Sequence, residues 1–174
     1  MQEKNLHPDL LLAKELVYEP NGLICKNIKK EAESDEYGAY EFEINDHRIK
    51  FRASKITPTK IGQFVTLWKR IGNGPIMPYD LADPIDFFVV STRSAEHFGQ
   101  FIFPKSVLFR HGIISKETKG GKRAIRVYPP WDIAQNQQAK KTQKWQLEYF
   151  FEIREKQPVG RTNMLNLFSP NVMP

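Results

Sequence analysis

The stretch AYEFEINDHRIKFRA, residues 39–53, decides how the chain is to be read. Tyr40, Phe42 and Ile44 alternate with Glu41 and Glu43, and beyond Asn45-Asp46 the residues Ile49, Phe51 and Ala53 alternate with Arg48, Lys50 and Arg52. A period of two sends successive side chains to opposite faces of a strand, and Asn and Asp tolerate the left-handed backbone of a tight turn. The pattern predicts a hairpin with one apolar face for a core and one charged face. Pairing also sets Glu41 and Glu43 opposite the three cations, so part of that charge is neutralised across the ladder.

Working outward, HPDLLLAKELVYEPNG (7–22) predicts an N-terminal helix within 1–22, with Pro8 in its first turn and Pro20 to Gly22 closing it. The next segment, KNIKKEAESDEYG (26–38), reads as a strand end and an exposed loop whose acid-rich EAESDE is solvated. On the other side, KITPTKIGQFVTLWKR (55–70) predicts a Thr-Pro turn and a strand from Gln63 to Arg70, then a Gly/Pro loop through Pro78. IDFFVVST (85–92) and FGQFIFPK (98–105) predict two more strands. VLFRH (107–111) predicts a short helix capped by Ser106 and closed by Gly112. KETKGGKR (116–123) reads as a hairpin tip centred on Gly120-Gly121, followed by the strand AIRVYP (124–129). The tract 134–155 carries a stripe of Trp145, Leu147, Tyr149, Phe150 and Ile153 that predicts a C-terminal helix, and 157–174 reads as an extended tail packing through Leu165, Leu167 and Phe168.

The chain has 174 residues, long enough to bury a core as one domain, 1–174, with no internal repeat. No apolar run is long enough to span a bilayer, no signal-peptide pattern opens the chain, and the lone Cys25 precludes an internal disulfide. These features point to a cytoplasmic protein. The net charge of +6 hides an asymmetry: residues 1–47 hold 11 acidic and 5 basic residues, and 48–174 hold 9 acidic and 21 basic, so the two parts carry −6 and +12. Segregated positive charge builds a field that attracts nucleic acid.

The common catalytic patterns are missing. His7, His47, His97, His111 and Cys25 never fall at zinc-ligand spacing, there is no GxxxxGK[ST] loop, and no GxSxG elbow frames a nucleophile. The sharpest enzymatic alternative is a Mg²⁺-dependent nuclease of the PD-(D/E)xK type, with Asp86 and Lys105 as its candidate residues. Phe103 stands where that pattern needs a carboxylate, and Glu117-Thr118-Lys119 matches the letters only in a hairpin tip. The expectation is therefore no metal and no cofactor, with Mg²⁺ entering only if the nuclease alternative holds. A protein-interaction module using the acidic N-terminal part is a further alternative.

Two basic segments carry more weight. Residues 48–70 hold seven Lys or Arg and no acid, 105–126 hold seven against Glu117 alone, and aromatic residues stand among them. Cations that displace counterions, with rings on which bases stack, are what a nucleic-acid surface requires. The predicted phosphate ligands are Arg48, Lys50, Arg52, Lys55, Lys60, Lys69, Arg70, Lys105, Arg110, Lys122, Arg123 and Arg126, with Lys55, Lys60, Lys69 and Arg70 the freest.

The stretches KITPTKIGQFVTLWKR (55–70), FGQFIFPKSVLFRHGII (98–114) and GKRAIRVYPPWD (121–132) resemble the MepB family of small bacterial proteins, over roughly residues 10–155. That family is named from genes beside a multidrug efflux pump. The resemblance implies a single α/β (α+β) domain with a central mixed β-sheet flanked by helices, similar to type II restriction endonucleases. It also implies nucleic-acid binding, DNA above all, without a secure enzymatic activity. No membrane partner is expected, and a monomer is the default.

Overall fold

The computed structural model describes residues 5–156 and 168. The predicted hairpin is β2 (Tyr40–Ile44) and β3 (His47–Ala53), pairing Glu41 with Lys50 and Glu43 with Arg48. Asn45 and Asp46 both take positive φ, 48° and 64°, as a tight two-residue turn demands. β1 (Cys25–Lys30) adds antiparallel to β2, with a bulge between Lys26 and Lys29.

Past β3 the chain makes a long excursion before returning beside it. The excursion holds β4 (Lys55–Thr57), β5 (Lys60–Thr66), β6 (Trp68–Lys69) and β7 (Met77–Pro78). β8 (Phe87–Ser94) then lies parallel to β3, a pairing that requires a long crossover. β9 (His97–Pro104) follows antiparallel to β8, and β11 (Phe150–Glu152) closes the far edge. The result is a mixed six-stranded sheet in the order β1-β2-β3-β8-β9-β11. A smaller sheet, β10-β5-β4, includes β10 (Ala124–Val127), and β6 pairs with β7. The domain is thus α+β, with a central mixed sheet and three short α-helices among the described residues: α1 (Pro8–Ala13), α2 (Lys105–Arg110) and α3 (Gln137–Gln146).

The central sheet is buried on both faces along β8 and β9, so those strands read as apolar runs. Phe87 and Val89 pack with Leu10, Val17 and Tyr18 of the N-terminal segment, whose helix widens to a π turn at Lys14–Tyr18 and ends at Gly22 with φ 76°. On the opposite face Phe88 and Val90 pack with Val65, Val107, Leu108, Ile125 and Val127. Buried Tyr18 reaches through the first layer and donates its hydroxyl to Gln100, whose amide in turn donates to Ser91 at 2.7 Å. Phe168 is buried against Tyr18 and Phe87; the rest of the predicted tail, with Leu165 and Leu167, lies outside the described residues.

Four local expectations give way to tertiary packing. The predicted strand 63–70 is two strands, β5 and β6, broken at Leu67, whose N–H turns to the carbonyl of Arg123. The hairpin tip turns at Glu117 and Thr118, both with positive φ, and not at Gly120-Gly121; a Cβ on Gly121 would stand 2.7 Å from Pro78, so that glycine serves close packing. Helix α2 starts at Lys105 behind Pro104, with no side-chain cap, and does not begin from Ser106. The predicted C-terminal helix stops at Gln146, and Phe150–Glu152 becomes a strand because β9 offers an open edge for pairing.

That edge depends on Gly99, where a Cβ would lie 2.7 Å from the carbonyl oxygen of Phe151 and inside the ring of Phe150. Gly99→Ala is expected to lower stability by about 2 kcal/mol, the usual scale of overpacking, read as a shifted urea midpoint. Asp80 joins the excursion to the 115–118 turn by accepting from Ala82 N–H (3.0 Å), Ser115 Oγ (2.7 Å) and Thr118 N–H (3.1 Å), which hold its carboxyl down to about 2. A depressed folded value means that this stabilisation is complete above the unfolded value near 3.8 and is lost as pH falls toward 2. In urea titrations at successive pH values, Asp80→Asn should flatten the fall in stability across that window.

Candidate nucleic-acid interface

The charged face of the β1–β2–β3 meander is not covered by apolar side chains. It floors a cleft of about 510 Å³ walled by Trp68, Lys69, Arg70, Tyr79 and Asp83. Alternation on β3 drives Arg52 into this floor, where it is only 2% exposed. Its guanidinium donates to the Glu31 carboxylate, to the Phe51 carbonyl at 2.9 Å and to the Tyr79 hydroxyl at 3.2 Å. Lys50 donates to Glu31 at 2.7 Å and to Glu41 at 2.8 Å. Burial opposes the Lys50 charge, but Tyr79, Glu31 and Glu41 outweigh it and hold the ammonium above its ordinary value. The hydrogen bond from Lys50 in turn pulls Glu41 below the usual carboxylate range.

The acid-rich loop is exposed, as expected, but its carboxylates are paired. Glu31 meets Lys50 and Arg52, Glu33 meets Arg70 at 2.9 Å, Asp35 meets Lys30 at 2.5 Å, and Glu36 meets Lys55 at 2.8 Å. Lys69 is paired with Asp83 at 2.6 Å. Of the four cations expected to be freest, Lys55, Lys69 and Arg70 are therefore engaged, and Lys60 is exposed with no ion pair among the described residues.

The nuclease candidates are neighbours, the Lys105 N–H donating to the Asp86 carbonyl at 3.0 Å, but their side chains are engaged elsewhere. The Lys105 ammonium donates to the carbonyls of Leu81 and Asp83, both at 2.8 Å, where it fastens the excursion to α2. The Asp86 carboxylate accepts from the Arg48 N–H at 2.8 Å and ties β3 to the start of β8. Among the described residues no three His, Cys, Asp or Glu side chains are placed to hold a metal ion.

A second concavity, a groove of about 1000 Å³, runs between the β5–β10 ribbon and α3. Five cations line it, Lys60, Lys122, Arg126, Lys141 and Lys144, against the single carboxylate of Glu148, together with Phe64, Tyr128, Trp145 and His111. Buried Gln146 fixes α3 to the ribbon: its amide oxygen accepts from Tyr128 N–H at 2.8 Å and its NH₂ donates to the Arg126 carbonyl at 2.9 Å. Gln143 adds donations to Asp132 O at 2.7 Å and Pro129 O at 3.0 Å. Arg126 is held along the ribbon by Thr57 Oγ1 at 2.7 Å and the Gly62 carbonyl at 3.1 Å. His111 stacks on Trp145 with ring centroids 3.9 Å apart and an interplanar angle of 5°. Burial, with Arg110 nearby, lowers the imidazole below its ordinary value, so at neutral pH it is an uncharged ring.

Three of the twelve predicted phosphate ligands, Lys60, Lys122 and Arg126, thus meet in this groove, and Arg110 and Arg123 are exposed on the segments that flank it. Arg48 is exposed at the mouth of the first cleft, apart from them. The sequence reading missed Lys141 and Lys144, because it took tract 134–155 only for its apolar stripe. Their three-residue spacing on a helix was the available signal.

The model of the family described as MepB-like matches residues 31–152. The chain belongs to the MepB-like family. A solved structure titled "Crystal Structure of MepB" is 32% identical and superposes with a TM-score of 0.74, covering 87% of this chain and 100% of that one. No curated protein matches the chain. The MepB-like segment includes the acid-rich loop, the whole lining of the groove, α3, and all of the first cleft's lining except Asn27 and Lys29. No helix among the described residues is long and apolar enough to cross a membrane.

Because Arg52 is buried in a network, its loss removes one of the two cations that balance Glu31 in a half-buried site and leaves a cavity in the floor of the cleft. Arg52→Ala is expected to cost about 3 kcal/mol in urea unfolding, and Arg52→Ala combined with Glu31→Gln less than the sum of the two single changes.

Proposed function

We propose that this MepB-like protein binds nucleic acid through the groove between the β5–β10 ribbon and α3. The observation that carries this reading is the groove's composition: five cations against one carboxylate, interleaved with aromatic rings, on elements held rigid by Gln143 and Gln146. Lysines on one helix face neutralise successive phosphates and release their counterions, while neutral His111 on Trp145 offers a flat ring system for a base or sugar. Such contacts position a backbone without reading sequence, so the binding is of low specificity and steeply salt-dependent. DNA is the favoured ligand, in line with the restriction-endonuclease-like scaffold that the family resemblance implies. The Asp86 carboxylate is engaged by the Arg48 N–H and the Lys105 ammonium by the carbonyls of Leu81 and Asp83, which favours a scaffold that binds without cutting. A cytoplasmic monomer fits the reading, and Cys25, a free thiol pushed up to about 12 by burial, suits a reducing compartment.

Fluorescence anisotropy of a labelled DNA duplex, titrated across salt, tests the proposal. Lys141→Ala with Lys144→Ala should weaken binding about tenfold at low salt and reduce the slope of log affinity against log salt by about two. Affinity indifferent to salt, or unchanged in that variant, would overturn the groove as the interface.

A further inference from the structure

We infer that the acidic strap of residues 31–36 is the internal occupant of a second polyanion-binding face, which nucleic acid takes over by displacing it. The inference rests on the nucleic-acid-binding reading above and concerns a different face of the molecule.

The observation is a repeated triplet. Lys50 pairs with Glu31 and lies over the Tyr79 ring (5.9 Å), Lys55 pairs with Glu36 and lies over the Tyr37 ring (4.7 Å), and Arg70 pairs with Glu33 and lies over the Trp68 ring (5.6 Å). Each cation thus has both a carboxylate and an aromatic ring within reach, the two kinds of contact that a nucleotide's phosphate and base would replace. Three cations, on β3, on β4 and just after β6, are met in this way by carboxylates from one short loop.

The strap is half-buried at its root, and its outer carboxylates are exposed. Glu31 is the root: it is half-buried, its N–H donates to the Ala39 carbonyl at 2.9 Å, and its carboxylate serves both Lys50 and Arg52. The outer pairs, Glu33 with Arg70 and Glu36 with Lys55, are solvent-exposed on both sides. Exposed pairs are individually weak and screened by salt, so a phosphodiester chain that offers many charges at once competes well for the same cations. The loop that carries the strap is closed by the β1–β2 ladder at Lys30 with Tyr40 and anchored by buried Tyr37, so the outer carboxylates can leave without unpairing the sheet.

The test compares full-length variants by anisotropy on the same labelled duplex at low salt. Glu33→Gln with Glu36→Gln should tighten binding about fivefold, the scale of two released surface ion pairs. The charge-matched control Glu15→Gln with Glu96→Gln, remote exposed carboxylates, should tighten it much less. The gain should persist when Lys141→Ala and Lys144→Ala are added, since the groove is a separate face. A strap variant no tighter than its charge-matched control overturns the inference, and groove-dependent, salt-sensitive binding in the same experiment would leave the proposed function standing. No binding by the wild type or any variant overturns both.

Discussion

A guanidinium cannot be taken out of water without an anion and hydrogen-bond acceptors around it, and Arg52 obliges the rest of the molecule to supply them. It is driven inside because Phe51 and Ala53, its neighbours on the central strand, must face the apolar layer under α1. Glu31, the Phe51 carbonyl and Tyr79 meet its need, and each commits a different part of the chain. Glu31 pins the loop between β1 and β2 against the sheet. Tyr79 pins the long excursion that returns the chain to β8. The charged half of the central sheet is therefore a structural knot before it is a binding surface.

This knot divides the cations into two populations. Lys50, Arg52, Lys55 and Arg70 are matched by carboxylates of the 31–36 loop, and Lys69 by Asp83. The cations of the β5–β10 ribbon and α3 have only Glu148 among them, so the positive field of the domain emerges there. Net charge alone says that the protein is basic. The placement of its acids decides which basic residues act at a distance.

Much of the architecture was legible because it rests on local rules. The two-residue alternation of 39–53 with Asn45-Asp46 at its centre dictates the hairpin, and the apolar runs 87–92 and 98–103 dictate buried strands whatever surrounds them. The pairing of Glu41 with Lys50 and Glu43 with Arg48 followed from the same alternation. Where a local rule had a competitor it failed: Phe150 and Phe151 sit in a helical stripe, yet an open sheet edge offered both backbone pairing and burial beside Gly99. The candidate site was half legible. Lys60, Lys122 and Arg126 were found from their clustering, and Lys141 and Lys144 were overlooked because they belong to no cluster until α3 packs against the ribbon.

By itself, then, the sequence determined the central hairpin, the buried strands β8 and β9, the family and the basic character of the C-terminal part, since these depend on composition, spacing and periodicity. Tertiary structure alone decided which charges are spent and which are free. Glu36 and Lys55 are nineteen positions apart and Glu33 and Arg70 thirty-seven, and nothing local distinguishes their residues from solvated ones. Only when the parallel return of β8 carries the excursion over the meander do acid and base come within reach. Coulomb attraction acts on distance in space, to which separation along the chain is a poor guide.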